Sequence, residues 1–186
     1  MKPETLEIIT KSAKETQQIG RILAQEIIKT IRSAIRQPAE QTAKKNSRPE
    51  QARGRATKKA LVIGLEGELG SGKTTFIQGL AKGMEIREAI TSPTFVILKK
   101  FDLLPQASSI RYFYHIDCYR INRPQELIDL DFKEIINNSQ NIIVIEWAER
   151  IRKILPPDTW WIKFEHFGQN QRRISLRITN EKVSFN

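Results

Sequence analysis

Three groups of residues have the types and spacing for phosphate chemistry. Gly67-Glu68-Leu69-Gly70-Ser71-Gly72-Lys73-Thr74 fits the pattern G-x-x-x-x-G-K-[ST] at every specified position. The glycines allow backbone conformations that a side chain would block, so the loop N–H groups can turn toward phosphate oxygens. The positive end of a following helix adds to that field. Lys73 is placed to reach terminal phosphates as a point charge. The Thr74 hydroxyl suits Mg²⁺, which shares oxygens with a nucleotide more readily than it accepts an all-protein cage. The spacing predicts a nucleoside-triphosphate site.

The second group is a carboxylate. Asn141-Ile142-Ile143-Val144-Ile145-Glu146 reads as a buried strand ending in an acid, the place where parallel sheets bind ligands. In phosphate-loop enzymes an acid there holds Mg²⁺ directly or through water. The third group is looser. Asp117 ends the apolar stretch Arg111–Arg120 and is expected to face the phosphates, whereas His115 in the same stretch reads as structural. Ser92-Pro93-Thr94 enters a further strand and is either a simple turn or a switch that senses the γ-phosphate.

These groups need elements to position them. Ala60–Leu65 is a short apolar run before the glycine loop, and Phe76, Ile77, Leu80, Ala81 and Met84 mark the buried stripe of a helix after it. Upstream, Ser12-Ala13-Lys14-Glu15 has the form of a capping box. Ile19, Ile22, Leu23, Ile27, Ile31 and Ile35 follow near one face, and Pro38 is expected to stop that helix. The runs Phe95–Leu98 and Arg111–Arg120 form a plausible hairpin. Asn122 and Pro124 suggest a helix start, with Asn122 as cap and Pro124 inside the first turn. Thr159–Phe164 and Arg173–Ile178 alternate as strands around a turn with Gly168 and Asn170. The expected fold is α/β of the phosphate-loop NTPase type: a central, mostly parallel sheet with flanking helices and a C-terminal β-hairpin.

Composition divides the chain. Residues 1–36 form an N-terminal helical segment packing on the core, 37–59 a basic flexible linker, 60–180 the ATPase core, and 181–186 a tail. Large apolar side chains are scarce in 37–59, too few to offset ordering entropy. The net charge is +10, of which residues 1–59 hold +8 (14 Lys/Arg against 6 Asp/Glu), so the core is close to neutral. Cys118 is the only cysteine, which excludes a disulfide framework and a cysteine metal cluster. No apolar run approaches a membrane span, and the first residues lack a signal-peptide core. A cytoplasmic protein without membrane contact is expected.

Taken in order, GELGSGKTT, SPTF, HIDCYRI and IIVIEWAER, followed by a short hairpin, resemble the TsaE (YjeE) family over residues 12–31 and about 60–178. The resemblance implies the ATPase component of bacterial threonylcarbamoyladenosine synthesis on tRNA, modified at position 37. It implies work with a TsaB–TsaD pair, which ATP binding and hydrolysis would reset between turnovers, with tRNA as a partner indirectly or through that complex. It further implies that Leu69, Gly70, Ser71, Gly72, Lys73 and Thr74 wrap the phosphates of ATP, with Thr74 and Glu146 on Mg²⁺. Thr94 belongs to the γ-phosphate switch, and Asp117 lies near the metal or the attacking water. Trp147 shapes the site, Thr16 approaches the adenine, and Arg173 or Arg172 makes a further nucleotide contact. Asp117 or Glu146 orients the water, and turnover by the chain alone is expected to be weak. Glu68 and Ser71 replace the family's commoner Asp and Ala, and the basic segment is longer than the family's usual connection.

A small-molecule kinase is the alternative, with Arg120 and Arg123 available to a lid. A GTPase fits less well, since N-K-x-D and D-x-x-G are both missing. An RNA-binding module would rest on the basic segment alone.

Overall fold

Burial sets the order of the sheet. Strand β5 (Asn141–Glu146) is buried at every residue, as four β-branched side chains in a row demand of a central strand. Strands β2 (Leu61–Gly67) and β4 (Tyr112–Asp117) flank it in parallel, and β6 (Trp160–Gly168) runs parallel to β2 on its far side. Beyond this parallel core, β3 (Leu98–Asp102) returns antiparallel on β4, and β7 (Gln171–Arg177) returns antiparallel on β6. Strand β1 (Thr5–Thr10) closes that edge against β7, giving the seven-stranded order β1-β7-β6-β2-β5-β4-β3. The structure, a computed structural model, describes residues 5–42, 59–91, 97–103 and 109–177, with side chains of 34–42 excluded.

Each face of the sheet has its own core. Helices α1 (Ala13–Thr42) and α2 (Lys73–Gly83) cover one face, over Ile63, Leu65, Phe113, Val144 and Phe164. Helices α3 (Gln125–Ile128) and α4 (Phe132–Ile136), with a 3-10 helix at Ala148–Ile154, cover the other, over Val62, Ile116, Ile143 and Ile145. A mixed α/β fold with a mostly parallel centre and a C-terminal hairpin is therefore what the sequence pattern requires. Among the described residues no helix is long and apolar enough to cross a membrane.

Helix α1 departs from the reading above in two ways. Its buried line runs through Thr16, Gly20, Ala24 and Ile27, while Ile22 is exposed. Small residues are needed there because the two helices touch backbone to backbone: a Cβ at Gly79 would overlap the carbonyl of Gln17, and one at Gly20 that of Phe76. The helix also continues past Pro38 to Thr42. A proline removes one hydrogen bond and crowds one carbonyl, a local penalty of about 3 kcal/mol that does not by itself end a helix. Residues 37–42 of the expected linker are thus helical, and 43–58 lie outside the described residues.

Two further corrections are local. Strand β1 was not expected; its only partner lies more than 160 residues away, and both Leu6 and Ile9 are exposed, so no alternation announces it. Helix α3 starts after Pro124, not at Asn122. The Glu126 carboxylate accepts the N–H groups of Asn122 and Arg123 at 3.1 and 2.8 Å, which satisfies the turn without an asparagine cap. The Ser12 motif does cap: Ser12 Oγ accepts the Glu15 N–H at 3.2 Å, and the Glu15 carboxylate accepts that of Lys11 at 2.8 Å.

Candidate functional site

The parallel strands β2, β4 and β5 all end at one side of the sheet, and the polar residues converge there. Strand β2 runs into the glycine loop, which turns sharply into α2. Gly72 has φ 100°, a left-handed conformation that disfavours any side chain. At Gly67, also left-handed, a Cβ would overlap the carbonyl of Phe164 on β6. Ser71 is fully buried and Leu69 is 74% exposed at the tip.

Lys73 opens α2 and points back under the loop. Its ammonium donates to the carbonyls of Gly67 (2.7 Å) and Glu68 (2.9 Å) and lies 4.0 Å from the ring centre of Trp147. Burial pushes its pKa down, opposed by the carboxylates of Glu146, Glu149 and Asp117. The strongest single charge in the loop is therefore held beneath it by carbonyls and an aromatic face.

Thr74, one residue on, meets β5. Its hydroxyl is 2.9 Å from each carboxylate oxygen of Glu146, which is almost wholly buried. From β4, His115 Nε2 is 2.9 Å from Oε1 of the same carboxylate. Asp117 stands directly opposite Glu146 in the β4–β5 register, and its Oδ1 accepts the Tyr119 N–H at 2.9 Å. The Thr74–Glu146 pair supplies only oxygen donors, which fits a hard cation such as Mg²⁺. Among the described residues no group of three or more His, Cys, Asp and Glu could hold a metal.

After β5 the chain turns through Trp147, a bulky residue at φ 57°. Left-handed backbone at such a residue is strained, and strain of this kind concentrates at sites that need it. Tyr119 lies against the indole at 5.1 Å between ring centres. Glu149, half-buried, has one carboxylate oxygen without a hydrogen-bond partner among the described residues. Burial and the charge of Glu66 hold its pKa up, against its own backbone N–H and the cations Lys73 and Arg150. Cys118 is fully buried, and burial together with Asp117 pushes its thiol up to about 12.

The N-terminal helix reaches the other flank. The Thr16 methyl lies 3.6 Å from where a Gly72 Cβ would be, and its hydroxyl is 2.9 Å from that of Thr10. Arg172 is also beside Gly72, its Nε 3.8 Å from the same point. Arg173 faces away, its guanidinium 4.4 Å over Phe167. The arginine at the loop is thus Arg172 and not Arg173, because alternate residues of β7 point to opposite faces. His166, paired with Arg172 across the hairpin, lies 3.4 Å from the Leu69 carbonyl. Thr94 lies outside the described residues.

Sheet and site together define a mixed α/β protein whose polar groups meet where its parallel strands end. The profile described as "Threonylcarbamoyl adenosine biosynthesis protein TsaE" matches residues 10–174, and the chain belongs to that family. The tRNA threonylcarbamoyladenosine biosynthesis protein TsaE of Bacillus subtilis (strain 168) is 34% identical over 121 residues, covering 65% of this chain and 72% of the relative. That of Treponema pallidum (strain Nichols) is 34% identical over 123 residues, covering 66% and 86%. The fold is similar to the crystal structure of Bacillus subtilis YdiB, with TM-score 0.61 and 23% identity over 98% of this chain and 90% of that one.

Sequence reasoning treated His115 as structural and passed over His166 and Glu149. The signal for His115 was its position two residues before Asp117, which places both on one face of β4. Glu149 and His166 carried no comparable signal, since Glu149 follows the strand that ends at Glu146 and His166 lies between the expected strand Thr159–Phe164 and its turn.

Proposed function

We propose that this chain is a phosphate-loop ATPase of tRNA threonylcarbamoyladenosine synthesis, binding ATP with Mg²⁺ and hydrolysing it. In this reading it works with TsaB and TsaD and resets that complex between rounds of modification at tRNA position 37. The observation that carries it is the contact of Thr74 with both oxygens of Glu146, which joins the glycine loop to the end of the central strand. The names of the relatives, tRNA threonylcarbamoyladenosine biosynthesis protein TsaE, support the pathway.

Phosphoryl transfer to water needs positioning and charge stabilisation more than covalent chemistry. The loop amides of residues 69–74 and Lys73 would hold the phosphates. Thr74 and Glu146 would hold Mg²⁺, which would supply positive charge to the phosphates. Glu146 already has both oxygens engaged by Thr74 and one by His115. Asp117, its neighbour in register, or Glu146 itself would orient the attacking water. Thr16 and Arg172, which border the loop at Gly72, would flank the nucleotide on the α1 side.

The test is Mg²⁺-dependent ATP hydrolysis by the chain alone and with TsaB and TsaD, for wild type and Lys73→Ala. Low turnover that rises with the partners and vanishes in the variant is the expected result. Partner-independent phosphorylation of a metabolite would replace this reading with a small-molecule kinase.

A further inference from the structure

We infer that His115 is a positioning residue that fixes Glu146 for metal binding through its Nε2–H, an inference that rests on the nucleotide-site reading above. His115 is fully buried in β4, on the same face as Asp117. It pairs in register with Val144, two residues below the Asp117–Glu146 pair and on the same face, so its ring lies beneath the carboxylate. A ring nitrogen 2.9 Å from a carboxylate oxygen needs a shared proton, which we assign to Nε2–H donating to Oε1.

The other ring nitrogen argues against a packing role. Among the described residues Nδ1, which is buried, has no hydrogen-bond partner, a state that costs free energy relative to an apolar ring. Phe113, two residues earlier on the same face, fills equivalent space with no such cost. An imidazole with one orphaned nitrogen is retained at a cost, and the bond made by the other nitrogen is what the cost maintains.

Geometry then separates the two partners of Glu146. Thr74 donates its hydroxyl proton to Glu146 from the loop side. For the threonine oxygen and the carboxylate to serve one cation, that proton must turn away and the direct bond must be released. His115 approaches from inside the sheet and has no such conflict. Its bond alone can hold the carboxylate in place both before and after Thr74 reorients. Hydrogen bonds behind metal ligands are typically worth about 10–100-fold in metal affinity.

The test measures binding of a fluorescent ATP analogue with EDTA and across a Mg²⁺ titration. His115→Phe should leave Mg²⁺-free affinity within about twofold of wild type and raise the Mg²⁺ requirement about 10–100-fold. His115→Gln, which keeps a donor near the Nε2 position, should recover most of that loss. In a Glu146→Gln background, His115→Phe should add nothing further. An unchanged Mg²⁺ requirement in folded His115→Phe, or equal losses with and without Mg²⁺, overturns the inference. Should the phenylalanine variant not fold, imidazole ¹⁵N spectra of the wild type decide. A protonated Nε2 and bare Nδ1, altered by Glu146→Gln, support the inference, and a bare Nε2 overturns it. Failure of the wild type to bind nucleotide under any condition would remove the nucleotide-site reading itself, and this inference with it.

Discussion

The Thr74 hydroxyl sits 2.9 Å from both carboxylate oxygens of Glu146, so the first turn of α2 and the last residue of β5 are joined directly. A cation bound by one group would lie within reach of the other. Thr74→Ala should therefore weaken Mg²⁺·ATP binding at least tenfold while Mg²⁺-free binding changes little. Calorimetric titration with and without Mg²⁺ separates the two, and equal losses in both would count against a shared cation site.

Lys73 tests the phosphate side of the same junction. Its ammonium is held under the loop by two carbonyls and the Trp147 ring. Hydrogen bonds to charged groups are worth about 1.5–3 kcal/mol, so Lys73→Ala should lower ATP affinity roughly 10- to 150-fold. Unlike the Thr74 variant, it should do so in EDTA as well.

The two adjacent arginines of β7 give an internal control. Arg172 borders Gly72, and Arg173 stacks on Phe167 on the opposite face. Arg172→Ala should weaken binding of a fluorescent ATP analogue several-fold, and Arg173→Ala should leave it within about twofold. The reverse pattern would remove Arg172 from the site.

Glu149 predicts a pH dependence. Burial holds its carboxyl above the ordinary value of 4.5, so the folded state keeps this proton more tightly than the unfolded chain does. Its contribution to stability therefore falls as pH rises from about 4.5 through the raised value, and the penalty is complete above that. Glu149→Gln should match wild type in thermal unfolding near pH 4 and exceed it at neutral pH. A constant difference across that range would show that burial does not govern this group.

Helix contact predicts a stability effect away from the chemistry. A Cβ at Gly79 would overlap the Gln17 carbonyl, so Gly79→Ala must push α1 off α2. Overpacking of this kind costs about 1–3 kcal/mol, which urea unfolding would register. Because Thr16 and Gln17 are neighbours, nucleotide affinity should fall in the same variant.

What could be read from the sequence followed the range of the interaction. The glycine loop, α2 and Glu146 were legible because strand, turn and helix are local patterns with fixed periods. The C-terminal hairpin was legible for the same reason. Strand β1 was not, since pairing with residues 172–177 leaves no local trace in Thr5–Thr10. The buried line of α1 was misread toward Ile22 because hydrophobic periodicity rewards large side chains, whereas this contact selects small ones. The choice between Arg172 and Arg173 needed the register of β7, which spacing alone leaves open by one residue.

Strand β1 also sets a timetable for synthesis. Thr5 pairs with Arg177 and Thr10 with Arg172, so the first strand made has no partner until the last described one emerges. At about 5–20 residues per second, that wait lasts roughly ten to thirty seconds on the ribosome. Throughout it Leu6 and Ile8 stay unpaired, and Thr10 cannot brace Thr16 through a settled edge. The Thr16 end of α1 is thus among the last described parts of the molecule to be locked, and a nascent chain stalled before β7 would carry a glycine loop with one wall missing.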